Sequence, residues 1–183
     1  MKDLSLYILD ISMNSVRAGA KNISIILKEE NNVLTLRIED NGCGMSKEQV
    51  EKLSNPFFTT RTTRKVGLGV PFLTMLAEQT GGYVRITSRP EGECENHGTE
   101  VEAVFHTDHI DFVPLGDVVE SVITLIQGNP DTDYVFVHES ENFSVGMNTA
   151  EMREILGGEV PLNTYEVLAF IREYLKGQYS EEK

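Results

Sequence analysis

Apolar side chains recur at three- and four-residue spacing over residues 4–20, with Leu6, Leu9, Met13, Val16 and Ala20 in one stripe and Leu4, Ile8, Ile11 and Ala18 in another. That period predicts a helix. At about 100° per residue, Asp10, Asn14 and Arg17 fall on a narrow face between the two stripes. A polar strip hemmed by apolar residues is not an ordinary solvated face. It reads as a partly buried capping or salt-bridge network, or as a site.

The period then changes to two. Residues 23–29 and 33–39 alternate apolar with polar and are joined by Asn31-Asn32, which predicts a β-hairpin. A loop, Asp40-Asn41-Gly42-Cys43-Gly44-Met45, follows, and Ser46 with Gln49 forms a capping box for a short helix that stops before Asn55-Pro56. Residues 57–69 are polar and punctuated by glycine. Pro71 suits the first turn of a further helix, which runs to about Thr80 and ends at Gly81-Gly82. Strands are expected at 83–88 and 99–106, then a helix near 116–127, a hairpin at 133–147 and helices near 149–156 and 164–176. The expected division is a first domain over 1–107 and a small α/β C-terminal appendage over 108–183, with the boundary in 106–116.

Charge sharpens that division. The 183 residues carry a net charge of −13. Residues 1–107 hold 12 basic and 14 acidic side chains, whereas 108–183 hold 4 and 15. So acidic a surface repels phosphate backbones, and no nucleic-acid partner is expected. The opening segment, with Asp3 and Asp10 and no basic cluster, is not expected to act as a secretory signal, and no apolar run is long enough to span a bilayer. Cys43 and Cys94 make neither a disulfide framework nor a zinc pattern. The expectation is a cytoplasmic protein with no membrane partner.

Three segments carry chemistry. Along Asp10-x-x-x-Asn14-x-x-Arg17, an amide oxygen can complete a Mg²⁺ shell, a carboxylate one turn away can orient water, and a guanidinium can meet phosphate oxygens. In Asp40-x-Gly42-x-Gly44, a half-buried carboxylate can accept from an exocyclic amine while the glycines admit a flat ring. Alone, that run is also an everyday turn. Thr59 to Lys65 precede Gly67-Leu68-Gly69-Val70 and a helix start, where exposed N–H groups and basic side chains suit an anion.

Together these segments resemble the GHKL superfamily of Bergerat-fold ATP-binding proteins, over about residues 4–106. Ile11-Ser12-Met13-Asn14-Ser15-Val16-Arg17-Ala18-Gly19-Ala20 is similar to the first nucleotide motif, with the A-G-A ending of MutL-type proteins. Glu39-Asp40-Asn41-Gly42-Cys43-Gly44-Met45 is similar to the adenine loop. Asn55-Pro56-Phe57-Phe58-Thr59-Thr60-Arg61 and Val66-Gly67-Leu68-Gly69-Val70 are similar to the lid run of histidine kinases, and Gly98-Thr99-Glu100-Val101 to the late strand entry.

The resemblance implies an α+β fold with helices layered on one face of a mixed sheet, and ATP and Mg²⁺ as cofactors. It implies that Asn14 binds the metal, that Arg17 contacts phosphate, and that Asp40 accepts from the adenine amine with Thr99 nearby. Gly42, Gly44 and Met45 would line the base pocket. Thr60, Arg61 and Lys65 would lie in a lid, with Gly67, Leu68 and Gly69 wrapping the phosphates. Asp10 stands where hydrolytic members usually carry glutamate, one methylene longer, so water positioning is expected to differ. Arg17 replaces the aspartate of the MutL pattern, which points to the kinase branch.

No phosphoacceptor helix pair precedes residue 4, so autophosphorylation is not expected. Three functions stay open: an ATPase gating a protein partner through the C-terminal extension, an anti-sigma-type protein kinase acting in trans, and an ATP or ADP sensor without turnover. A homodimer is open as well. His106, Asp108, His109 and Asp111 read as solvated loop residues before they read as metal ligands, and Glu91, Glu93 and Glu95 as a solvated loop. Cys43 reads as a small residue tolerated in its loop. Val118, Val119, Val122, Ile123 and Ile126 read as facing a core, with a partner surface as the alternative.

Overall fold

Along β1 (Asn22–Glu30) and β2 (Val33–Asp40), every second residue is buried: Ile23, Ile25 and Leu27 on one, Leu34, Leu36 and Ile38 on the other. Asn31 and Asn32 both adopt positive φ, 51° and 61°, which reverses the chain with the hand that a two-residue hairpin needs. The strands pair from Ile23 opposite Asp40 to Glu30 opposite Val33. The computed structural model describes residues 3–54, 69–92 and 95–180.

The remaining strands are β3 (Tyr83–Arg89), β4 (Gly98–His106), β5 (Asp133–Glu139) and β6 (Ser144–Asn148). They complete a six-stranded sheet in the order β3-β4-β2-β1-β5-β6. β1 and β5 run parallel, and the other neighbours are antiparallel. The helices are α1 (Leu4–Arg17), α2 (Lys47–Ser54), α3 (Gly69–Gln79), α4 (Val118–Gly128), α5 (Thr149–Ile155) and α6 (Tyr165–Ser180). α1 lies over β1 and β2 and touches α3 and α4, and α4 carries α6. Buried Ile25, Leu36, Ala103, Phe105 and Phe136 face this helical layer. Their strand neighbours Ser24, Thr35, Arg37 and Glu100 alternate onto the opposite face and stay at least partly exposed. The expected α+β layering, helices on one face of a mixed sheet, is what the chain adopts.

The open face has its own anchor. Glu102 is paired in register with Arg85 on one side and Arg37 on the other. Its carboxylate accepts from Arg85 Nη2 at 2.6 Å and Arg37 Nη2 at 3.1 Å. Burial pushes the Glu102 carboxyl up, but the hydrogen bonds and charges of the two arginines outweigh it and leave the group below the ordinary range.

Helix α1 begins where Asp3 caps the Leu6 N–H and accepts from Ser5 Oγ at 2.6 Å. Its buried side runs through Leu4, Tyr7, Ile8 and Ile11 and includes Ser5, Ser12 and Ser15. The stripe expected at Leu6, Leu9, Met13 and Val16 is only partly covered, and Leu6 is 40% exposed. The other expected stripe, Leu4, Ile8 and Ile11, is the buried one, and serines fill the rest of its arc. Ser46 and Gln49 form the expected reciprocal cap, each accepting the other's backbone N–H, at 2.8 and 3.3 Å.

The segment beyond residue 108, expected as an appendage, is continuous with the sheet. β5 inserts beside β1 with Ile23 opposite Tyr134 and Ile25 opposite Phe136. The entry to α1 is held by Pro114 and Leu115 carbonyls, which accept from Leu4 and Ser5 N–H at 2.9 and 2.8 Å. Val118, Val119, Val122, Ile123 and Ile126 are all buried, as the core reading expected. Tyr134 is fully enclosed, and burial raises its phenol to about 12. The acidic composition of this region is surface decoration on one shared core.

At the far end of that core, His138 is 3% exposed. Its Nε2 lies 2.9 Å from Glu29 Oε1 and its Nδ1 2.8 Å from the Tyr179 hydroxyl, with Phe143 edge-on to the ring. Burial lowers the imidazole from its ordinary value, with Glu29 working in the opposite direction. Among the described residues, no helix is long and apolar enough to cross a membrane.

Candidate functional site

β2 ends at Asp40, and α1 crosses directly above it. Ser15, buried on the sheet-facing side of α1, donates through Oγ to Asp40 Oδ2 at 2.6 Å. The Gly42 N–H donates to Oδ1 at 2.8 Å. The carboxylate is therefore held in a fixed plane, with one bond on each oxygen and acceptor capacity left on both. Thr99 sits opposite Asp40 in the β2–β4 register, and its hydroxyl lies 2.8 Å from Ser88 Oγ. Ser88 also accepts from the Met45 N–H at 2.8 Å.

The loop after Asp40 is shaped by close backbone contacts. Cys43 N–H donates to the Ala18 carbonyl at 2.9 Å and its carbonyl accepts from Glu91 N–H at 2.8 Å. Gly44 adopts φ +65°, and a Cβ there would overlap the Arg89 carbonyl, so the residue must be glycine on both counts. Asn41 Oδ1 accepts from the N–H groups of Lys21 and Asn22, which fixes the loop to the start of β1.

A cleft of about 810 Å³ opens between α1, this loop, α2 and α3. Of the residues singled out from sequence, Asn14, Arg17, Asp40, Gly44, Met45 and Thr99 line it. Arg17 Nη1 donates to Asn14 Oδ1 at 3.0 Å, so the two side chains already act as a pair. Asp10 and Gly69 lie together to one side, where a Cβ on Gly69 would overlap the Asp10 carboxylate. Gly42 is buried beneath the loop and serves through its N–H. Thr60, Arg61, Lys65, Gly67 and Leu68 lie outside the described residues, as do Glu93 and Cys94.

The cleft also uses residues that were given no site role from the sequence. Ile11, Leu53, Val70 and Val101 supply apolar walls. Ser15, the partner of Asp40, was detectable in principle as a polar residue on a buried helical arc. Ser88 could not be found without the β3–β4 register. Cys43 is a free, exposed thiol on the rim.

Could the residues hold a divalent cation with a phosphate-bearing ligand? No group of three or more His, Cys, Asp or Glu positioned for a metal occurs among the described residues, the His106–Asp111 segment included. Asn14 offers a single hard oxygen at the cleft wall. That fits Mg²⁺, which keeps several waters and takes most remaining ligands from substrate phosphates. The same oxygen accepts from Arg17, so a cation held there would compete with the guanidinium for it.

Comparison with known proteins gives this geometry its setting. The chain is 32% identical over 77 residues to the C4-dicarboxylate transport sensor protein DctB of Pseudomonas aeruginosa, covering 42% of this chain and 13% of that protein. It is 27% identical over 94 residues to a probable C4-dicarboxylate sensor kinase of Bacillus subtilis, covering 51% and 17%. The chain thus spans less than a fifth of the length of either relative. In architecture it is similar to the Aquifex aeolicus MutL ATPase domain complexed with ADP, with a TM-score of 0.57 at 16% identity over 86% of this chain and 70% of that one. Residues 2–109, more than half of the chain, match the model of the Histidine kinase-, DNA gyrase B-, and HSP90-like ATPase family, and the chain belongs to that family.

Proposed function

We propose that this protein binds ATP with Mg²⁺ in the cleft over Asp40 and hydrolyses it, or transfers its terminal phosphate, to regulate a protein partner. The observation that carries the reading is the Asp40 carboxylate, held between Ser15 Oγ and Gly42 N–H at the foot of a mostly apolar cleft. A fixed carboxylate acceptor flanked by Met45, Ile11 and Val101 suits the exocyclic amine and flat face of adenine. Thr99, held by Ser88, stands beside Asp40 as a second polar contact.

From the base, the triphosphate extends toward Asn14 and Arg17. Arg17 presents planar N–H donors to phosphate oxygens. Asn14 would hold Mg²⁺, which when bound neutralises phosphate charge. Asp10, on α1 beside the first residue of α3, would accept a proton from an attacking water. Thr60, Arg61, Lys65, Gly67 and Leu68 would close over the phosphates as a lid. The setting is cytoplasmic, and the acidic face of residues 108–183 is where a protein partner would dock.

One observation favours a second reading. Asp10 packs against Gly69 and is not among the residues lining the cleft, which suits a sensor that binds adenine nucleotide without turning it over. Incubation with γ-labelled ATP, alone and in lysate, separates the readings. Free labelled phosphate supports hydrolysis, a labelled second protein supports a kinase acting in trans, and nucleotide binding with neither supports the sensor. Absence of any nucleotide binding rejects all three.

A further inference from the structure

We infer that His97 is a positioning residue for the nucleotide-facing loop at 42–45. The inference rests on the reading that adenine sits over that loop, and it concerns how the loop keeps its shape. His97 Nδ1 lies 2.6 Å from the Gly42 carbonyl oxygen. A carbonyl can only accept, so Nδ1 carries the hydrogen and the ring is held in one orientation.

The consequence is a clamp on Gly42. Its N–H is spent on Asp40 Oδ1 and its C=O on His97, so one residue is gripped from inside the cleft and from behind the sheet end. The end of β3 and the residues just after it supply the rest of the backing, through Ser88 Oγ on Met45 N–H, Arg89 against Gly44, and Glu91 N–H on the Cys43 carbonyl. The His97 ring lines a second, polar cleft of about 700 Å³ shared with Asn22, Ser24 and Thr87. It can therefore be changed without opening the apolar core.

Without that bond the Gly42 carbonyl loses its side-chain partner, and the φ/ψ hinge at Gly42, between the N–H held by Asp40 and the Cys43 N–H held by Ala18, is less restrained. His97→Ala is expected to weaken ADP binding by about three- to tenfold, with a melting temperature close to that of the unmodified protein. His97→Asn, whose amide N–H reaches as Nδ1–H does, is expected to recover most of the affinity. A purely structural loss of the ring would not be rescued in this way.

A second readout does not depend on nucleotide. In the free protein, backbone amides of the segment containing Gly42 to Met45 should exchange with deuterium at least about threefold faster in His97→Ala, while those of α6 stay unchanged. Unchanged exchange overturns the inference whether or not nucleotide binds. Equal ADP affinity in the wild type and His97→Ala overturns it as well and leaves the proposed function standing. If wild type fails to bind ADP, the proposed function falls, and exchange alone then decides whether His97 orders the loop.

Discussion

The carboxylate of Asp10 fills the space beside Gly69, at the first residue of α3, where any side chain would have to begin. This contact brings the middle of the first helix against the start of the third. It depends on an absent side chain as much as on a present one.

Gly69→Ala therefore displaces Asp10. The fold should hold, since Ala favours a helix over Gly by about 1 kcal/mol. Phosphate release from ATP should fall about tenfold or more, equivalent to ~1.4 kcal/mol in the barrier. Steady-state phosphate release measured beside a melting curve checks both parts. Unchanged release in a stable variant would remove Asp10 from the reaction.

Ser15→Ala tests the orientation of Asp40. The hydroxyl contributes a 2.6 Å bond to a charged acceptor, a class worth about 1.5–3 kcal/mol. Part of this is recovered when water or ligand takes the freed oxygen. We expect ATP affinity to drop about three- to tenfold, less than on altering Asp40 itself. Isothermal calorimetry on both variants ranks them, and the opposite order would dispute the arrangement.

Much of this site was legible in the sequence, for a physical reason. Asp10, Asn14 and Arg17 share a helix face by period alone, and Asp40 sits where an alternating strand meets glycines. Local rules reach such features, including the Asn31-Asn32 turn and the Ser46 cap. The Ser15–Asp40 bond spans 25 residues and exists only because α1 lies over β2. The parallel pairing of β5 with β1 is also non-local, so the sequence suggested an appendage where one sheet continues. Acidic composition marks a surface and says nothing of the strand beneath it. On α1 the stripe of Leu4, Ile8 and Ile11 was legible by period, whereas the burial of Ser5, Ser12 and Ser15 beside it was not, since an apolar period does not register polar residues.

His138 makes folding stability depend on pH in a predictable direction. Its folded-state value lies below the ordinary imidazole value because of burial. Above the ordinary value both states are neutral and nothing is lost. As pH falls through it, the unfolded chain takes up a proton that the folded chain refuses, and stability declines until the lower folded-state value is passed. The slope approaches ~1.4 kcal/mol per pH unit for one proton. Urea denaturation between pH 7.5 and about 5.5 should show a steeper loss for the wild type than for His138→Gln. Parallel slopes would place the dependence elsewhere.

The central claim is that Asp40 receives the adenine amine of a bound nucleotide. Calorimetric titration of ADP and ATP into the wild type and Asp40→Asn addresses it directly. The amide offers a neutral acceptor and can present a donor in its place, so affinity should fall at least about tenfold, near 1.4 kcal/mol or more. Equal affinity in the two proteins, or no binding to the wild type, would contradict the account.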